Sequence, residues 1–112
     1  MMNKIQISSN ESQALDELKH RLSERFGIEK LVLYGSVARG QADMESDIDL
    51  LVLTSLPLTR FERHKITNVV FDVNLSYDTN FSTLVVDLNS WEKGIISILP
   101  IYDEIARDGI LL

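Results

Sequence analysis

Ile48 to Leu53 reads IDLLVL, a run in which one aspartate interrupts Ile, Leu and Val. A stretch this short and this apolar is a buried strand rather than a helix, which needs at least about ten residues. Two further apolar runs join it. Leu31 to Tyr34 is bounded by glycine, and Phe81 to Asp87 (FSTLVVD) is rich in β-formers.

Helical signals alternate with these strands. From Ser8 to Phe26 the apolar residues Leu15, Leu18, Leu22 and Phe26 make an amphipathic stripe; Ser8 with Glu11 forms a capping-box pattern and Gly27 stands where a left-handed terminator is wanted. Thr59 with Glu62 is a second capping box after the loop TSLPL. The stretch beyond it carries two periods at once: Ile66, Val70, Val73 and Tyr77 keep helical spacing, while Phe71, Val73, Leu75 and Tyr77 alternate with polar residues as a strand would. The cap at Thr59 needs a helix, so we read helix to about Leu75. Asn89 with Glu92 suggests a helix start, Pro100 begins another at its first turn, and Gly109 closes it before the apolar tail Ile110, Leu111 and Leu112. The expectation is an α/β fold with about three strands flanked by helices. Strand polarity is not settled by this pattern.

The 112 residues suffice for one domain over residues 1–112, and can bury roughly two-thirds of the surface exposed in the unfolded chain. The net charge of −6 is spread evenly along the chain, with no basic cluster, which argues against grip on an extended nucleic acid. The absence of cysteine excludes disulfides, a thiolate nucleophile and a Cys-ligated zinc. No apolar run approaches the roughly 20 residues of a membrane span, and the start, MMNKIQISSNES, lacks a signal-peptide core. The expected location is the cytoplasm.

The chemistry concentrates between the first two strands. Asp47 and Asp49 stand one residue apart, and in a strand such residues share a face, where both carboxylates reach one or two ions. Hard oxygen ligands select Mg²⁺ or Mn²⁺, and an ion pair about 4 Å apart suits phosphoryl or nucleotidyl transfer. Taken alone, D-x-D also decorates loop edges and strand starts. Gly35 and Ser36 change the balance. They follow a strand directly, where glycine permits a tight turn and the N–H groups of a helical turn attract phosphate. Arg39 could neutralise a triphosphate, or pair with Asp43 or Glu45; Ser46 shapes the strand entry. His20 and His64 read as surface residues, and Trp91 and Tyr102 as packing residues.

The stretch GSVARGQADMESDID resembles the G-S, ten residues, D-x-D signature of the DNA polymerase beta-like nucleotidyltransferase superfamily, and the small size resembles its minimal nucleotidyltransferase branch. The resemblance implies a small mixed sheet with helices, and a nucleoside triphosphate, ATP, bound by Gly35, Ser36 and Arg39. It further implies two Mg²⁺ (or Mn²⁺) ions bridged by Asp47 and Asp49, and attack of an acceptor hydroxyl on the α-phosphate with pyrophosphate leaving. Members usually add a third carboxylate at the next strand. The aligned position here is Asn80, with Asp78 two residues earlier on the same face if the chain is extended, and Asp87 at the far, solvated end. Asp78 is therefore the candidate third catalytic residue.

The implied function is transfer of AMP to a hydroxyl of a partner protein, with a small helical HEPN-type protein as partner and a toxin-antitoxin pair as setting. The alternatives are a non-catalytic nucleotide- or partner-binding module, which Asn80 favours, and modification of a small molecule such as an antibiotic. Self-association is left open.

Overall fold

The computed structural model describes residues 7–41 and 47–112. Helix α1 (Ser9–Arg25) begins at Ser8, whose hydroxyl accepts from the Glu11 N–H at 3.0 Å while the Glu11 carboxylate accepts from the Ser8 N–H at 2.8 Å. It ends at Phe26 in extended conformation, so Gly27 is not the left-handed terminator the sequence predicts; the chain turns straight into strand β1 (Ile28–Tyr34). Strand β2 (Ile48–Thr54) follows the Gly35 turn, and helix α2 (Arg60–Tyr77) opens on the reciprocal Thr59–Glu62 box.

Both periods in the 66–77 stretch resolve to helix. Ile66, Val69, Val70 and Val73 are buried on one stripe, while Phe71 and Leu75, which a strand would have placed beside Val73, are exposed. Strand β3 (Phe81–Asp87) keeps its expected bounds. Helix α3 (Leu88–Lys93) starts earlier than Asn89 and Glu92 suggest, because Asp87 is its cap: its carboxylate accepts from the Ser90 N–H at 3.0 Å. Asp87 is thus a buried cap rather than a solvated strand end. A 3₁₀ turn (Ile95–Ile98) leads to helix α4 (Pro100–Asp108), with proline in the first turn as expected.

The sheet is mixed and ordered β3-β2-β1-β4, with β2 parallel to β3 and the other pairs antiparallel. It has four strands rather than three: Ile110–Leu111 of the apolar tail form β4 against Val32 and Leu33 of β1. Its two faces carry different helices. Leu31, Leu33, Ile48, Leu50, Val52 and Phe81 meet α1 and α2, and Leu51, Leu53 and Val86 meet α3 and α4 through Ile105, Trp91 and Ile101. This double cover explains why β2 reads as a nearly unbroken apolar run. Trp91 and Tyr102 stack with ring centroids 4.7 Å apart, as packing residues do. No helix among the described residues is long and apolar enough to cross a membrane.

Candidate functional site

Topology brings the sequence candidates to one end of the sheet. Because β1 and β2 are antiparallel, the end of β1 lies beside the start of β2, and Tyr34 pairs with Asp49. Because β2 and β3 are parallel, the start of β3 arrives at the same edge: the Ile48 N–H donates to the Asn80 carbonyl at 3.0 Å, one register step before the Ile48 and Phe81 pair. Asp47 and Asp49 therefore share a face with Asn80 and Ser82 on one flank and Tyr34 on the other.

After Tyr34 the chain turns sharply at Gly35, with φ 81°. The turn is helical in pattern: the Arg39 N–H donates to the Gly35 carbonyl at 3.1 Å, Gly40 to Val37 at 3.1 Å and Gln41 to Ser36 at 2.9 Å. Val37 is buried in the α1–α2 core and anchors the turn. Gly35 lies so close to β2 that any Cβ on it would overlap Asp49 Oδ2. Glycine is required here on two counts, the left-handed backbone and the close approach of a carboxylate.

Charge is unevenly balanced at this edge. Asp49 is partly buried, and burial pushes its carboxyl above the ordinary carboxylate range; the nearby Asp47 and Glu104 carboxylates push the same way, and only Arg39 opposes them. Tyr34 is raised likewise, by burial first and then by Asp49 and Glu104. An excess of carboxylate on one small surface is the donor chemistry that suits a hard divalent cation, so Asp47 and Asp49 fit the metal that the resemblance implies. Among the described residues no group of three or more acidic or histidine side chains is arranged to hold a metal.

Arg39 reaches toward this edge. Its guanidinium lies 3.7 Å from Glu104 Oε2, and its Nε–H donates to Gln41 Oε1 at 3.4 Å. The expected partners Asp43 and Glu45, and Ser46, lie outside the described residues. Nothing in the sequence marks Glu104 as a neighbour of Asp49. It sits on α4, more than fifty residues beyond Asp49, and only the packing of α4 across the sheet brings it near; no local pattern announces it.

The β3 candidates separate cleanly. Asn80 donates its side-chain amide to Asp47 Oδ1. Asp78 is the C-cap of α2 in left-handed conformation, φ 55° and ψ 51°, with its N–H donated to the Asn74 carbonyl. The two-residue alternation that would place Asp78 on Asn80's face does not run through a left-handed residue, so Asn80, not Asp78, stands beside Asp47. His20 and His64 are exposed, His20 lying 3.3 Å from Glu24, as surface residues would be. A groove of about 500 Å³ between α1 and α2, lined by Arg21, Lys65 and Asp72 among others, opens on the face of the sheet away from Asp49.

Residues 15–108 match the model of the nucleotidyltransferase domain family. A Methanocaldococcus jannaschii relative named "Putative protein adenylyltransferase" is 38% identical over 77 residues, 65% of this chain and 52% of the relative; the chain thus spans about half the length of that relative. Among solved structures, a toxin-antitoxin complex with AMP-PNP superposes with a TM-score of 0.59 at 19% identity, covering 93% of this chain and 72% of the other. A complex of tri-AMPylated Shewanella oneidensis HEPN toxin with MNT antitoxin superposes with a TM-score of 0.52 at 17% identity, covering 91% and 70%. At such identities the structural likeness speaks for the fold.

Proposed function

The chain belongs to the nucleotidyltransferase domain family, and from that we propose that it transfers AMP from ATP to a hydroxyl of a partner protein. The single observation that carries this reading is the contact between the Gly35 turn and Asp49, which sets a turn of phosphate-binding character directly against a carboxylate pair. In this reading the Gly35 and Ser36 backbone and the Ser36 hydroxyl hold the phosphates. Arg39 neutralises the triphosphate, exchanging its part-exposed bridge to Glu104 for a phosphate oxygen. Asp47 and Asp49 hold Mg²⁺ or Mn²⁺, which when bound supplies charge stabilisation to the phosphates. The acceptor oxygen bonds to the α-phosphorus, the bond to the bridging oxygen breaks, pyrophosphate leaves and the hydroxyl proton passes to water.

A partner is part of the proposal. The name of the curated relative speaks of protein adenylylation, and the solved complexes pair their chains with toxins, one of them an AMPylated HEPN protein. A small helical HEPN-type protein is accordingly the proposed acceptor, with this chain as its antitoxin. The test incubates the chain with Mg²⁺, ATP labelled on the α-phosphate and the protein encoded beside it, which this reading expects to be of HEPN type. Label should pass to that protein and vanish with Asp47→Asn; absence of label on it under all metal conditions would remove the reading.

A second reading, nucleotide binding without transfer, is favoured by one observation: the β3 side chain beside Asp47 is an amide, which cannot accept the acceptor's proton as a carboxylate would. Metal-dependent ATP binding with no turnover toward the HEPN-type partner would select it.

A further inference from the structure

We propose that Asn80 limits this site to a single divalent cation. The inference rests on the nucleotide-binding reading above and adds to it the number of metals.

Asp47 and Asp49 are the carboxylates that the sheet places side by side at this edge, and among the described residues no third acidic or histidine side chain joins them in a metal-holding group. On the β3 side, Asn80 directs its amide N–H at Asp47 Oδ1, a donor group where a further cation would need an anionic oxygen. The next residue of that strand on the same face, Ser82, is exposed and uncharged, and beyond it come Leu84 and Val86. Asp78, the nearest carboxylate upstream on the chain, is the left-handed C-cap residue of α2 and stands outside the alternation of β3. On the α4 side, Glu104 faces Arg39 at 3.7 Å and, with or without that bridge, belongs to no metal-holding group with Asp47 and Asp49 among the described residues. Two carboxylates together with nucleotide phosphates and water complete the six oxygens of one Mg²⁺ or Mn²⁺. A second divalent ion about 4 Å from the first must overcome strong like-charge repulsion, and the described residues offer it no ligand of its own. The amide also fixes Asp47: with Oδ1 accepting from Asn80, Oδ2 remains for the cation.

The number of bound metals can be read without turnover. The full chain is saturated with a non-hydrolysable ATP analogue, and Mn²⁺ is titrated while its paramagnetic resonance spectrum is followed. The wild type should bind one Mn²⁺ per analogue and show the spectrum of isolated ions. Asn80→Asp, with Asn80→Glu in reserve should the first variant fail to fold, should bind two and show the exchange-coupled spectrum of a close pair. A coupled pair in the wild type, or a carboxylate variant that folds, binds the analogue and still holds only one ion, overturns the role of Asn80 while leaving nucleotide binding intact. If equilibrium dialysis finds no analogue bound to the wild type at any Mn²⁺ concentration, the nucleotide reading falls and the inference with it.

Discussion

Asp49 Oδ2 rests against the bare Cα of Gly35, in the space a Cβ would need. Gly35→Ala therefore carries two costs: a left-handed φ of 81°, which costs an L-residue about 1–2 kcal/mol, and displacement of the Asp49 carboxylate. Gly40 separates them. Its φ is 71°, yet a Cβ there meets nothing among the described residues within 4 Å. Gly40→Ala should lose about 1–2 kcal/mol in thermal unfolding and Gly35→Ala more than that, while only Gly35→Ala should lose binding of an ATP analogue. Equal loss of binding in both would mean that turn geometry, not the contact with Asp49, is what the site requires.

Arg39 gives a prediction in which binding and stability part company. Its bridge to Glu104 is long and part-exposed, so it adds only about 0–1 kcal/mol to folding. Arg39→Ala should leave the unfolding midpoint almost unchanged and weaken ATP binding about tenfold, or ~1.4 kcal/mol. Glu104→Gln removes a negative charge beside Asp49 and frees the guanidinium, so it should tighten ATP binding. Calorimetric titration of both variants decides the point: ATP binding as in the wild type for Arg39→Ala would make the arginine purely structural.

What could be read from the sequence was what is decided locally. The run IDLLVL, the two capping boxes and Pro100 each carry their structural reason within a few residues, and each lies where it was expected. Gly35 and the Asp47, Asp49 pair were legible as candidates for the same reason. Features decided by distant packing were not. Ile110–Leu111 become a strand only because Val32 and Leu33 offer a free edge, and Glu104 joins the site only because α4 crosses the sheet. Asp78 misled because a single left-handed residue breaks the period on which alternation depends. The dual pattern at 66–77 was decided by the core that α2 shares with α1 and the sheet, which buries Val69, Val70 and Val73 and leaves Phe71 and Leu75 outside.

The start of α2 depends on a reciprocal pair of hydrogen bonds, the Glu62 N–H to the Thr59 hydroxyl at 3.1 Å and the Thr59 N–H to the Glu62 carboxylate at 3.0 Å. Thr59→Ala removes the first and should destabilise the chain by about 1 kcal/mol, whereas Thr59→Ser should keep most of the loss from occurring. Urea unfolding of the pair checks this. A serine variant as unstable as the alanine one would show that the threonine methyl, not its oxygen, matters.

Asp87 provides the pH test. Its carboxylate accepts the Ser90 N–H, and that hydrogen bond, aided by Arg63, holds its carboxyl below the ordinary value of 3.8. A depressed folded-state value means that the unfolded chain takes up the proton first. The stabilisation by Asp87 is then fully present above 3.8 and is lost as the pH falls below that value through the folded one. Asp87→Asn can still accept the Ser90 N–H but carries no charge and does not titrate. The wild type should therefore be the more stable of the two near neutrality, and the gap between their unfolding midpoints should close as the pH drops below 3.8. The comparison subtracts every other acid-sensitive group, including Glu62, whose carboxyl is lowered by the Thr59 N–H in both proteins alike. A gap that stays constant down to the acid transition would mean that the Asp87 charge contributes nothing, and that its role at the α3 cap is met by hydrogen bonding alone.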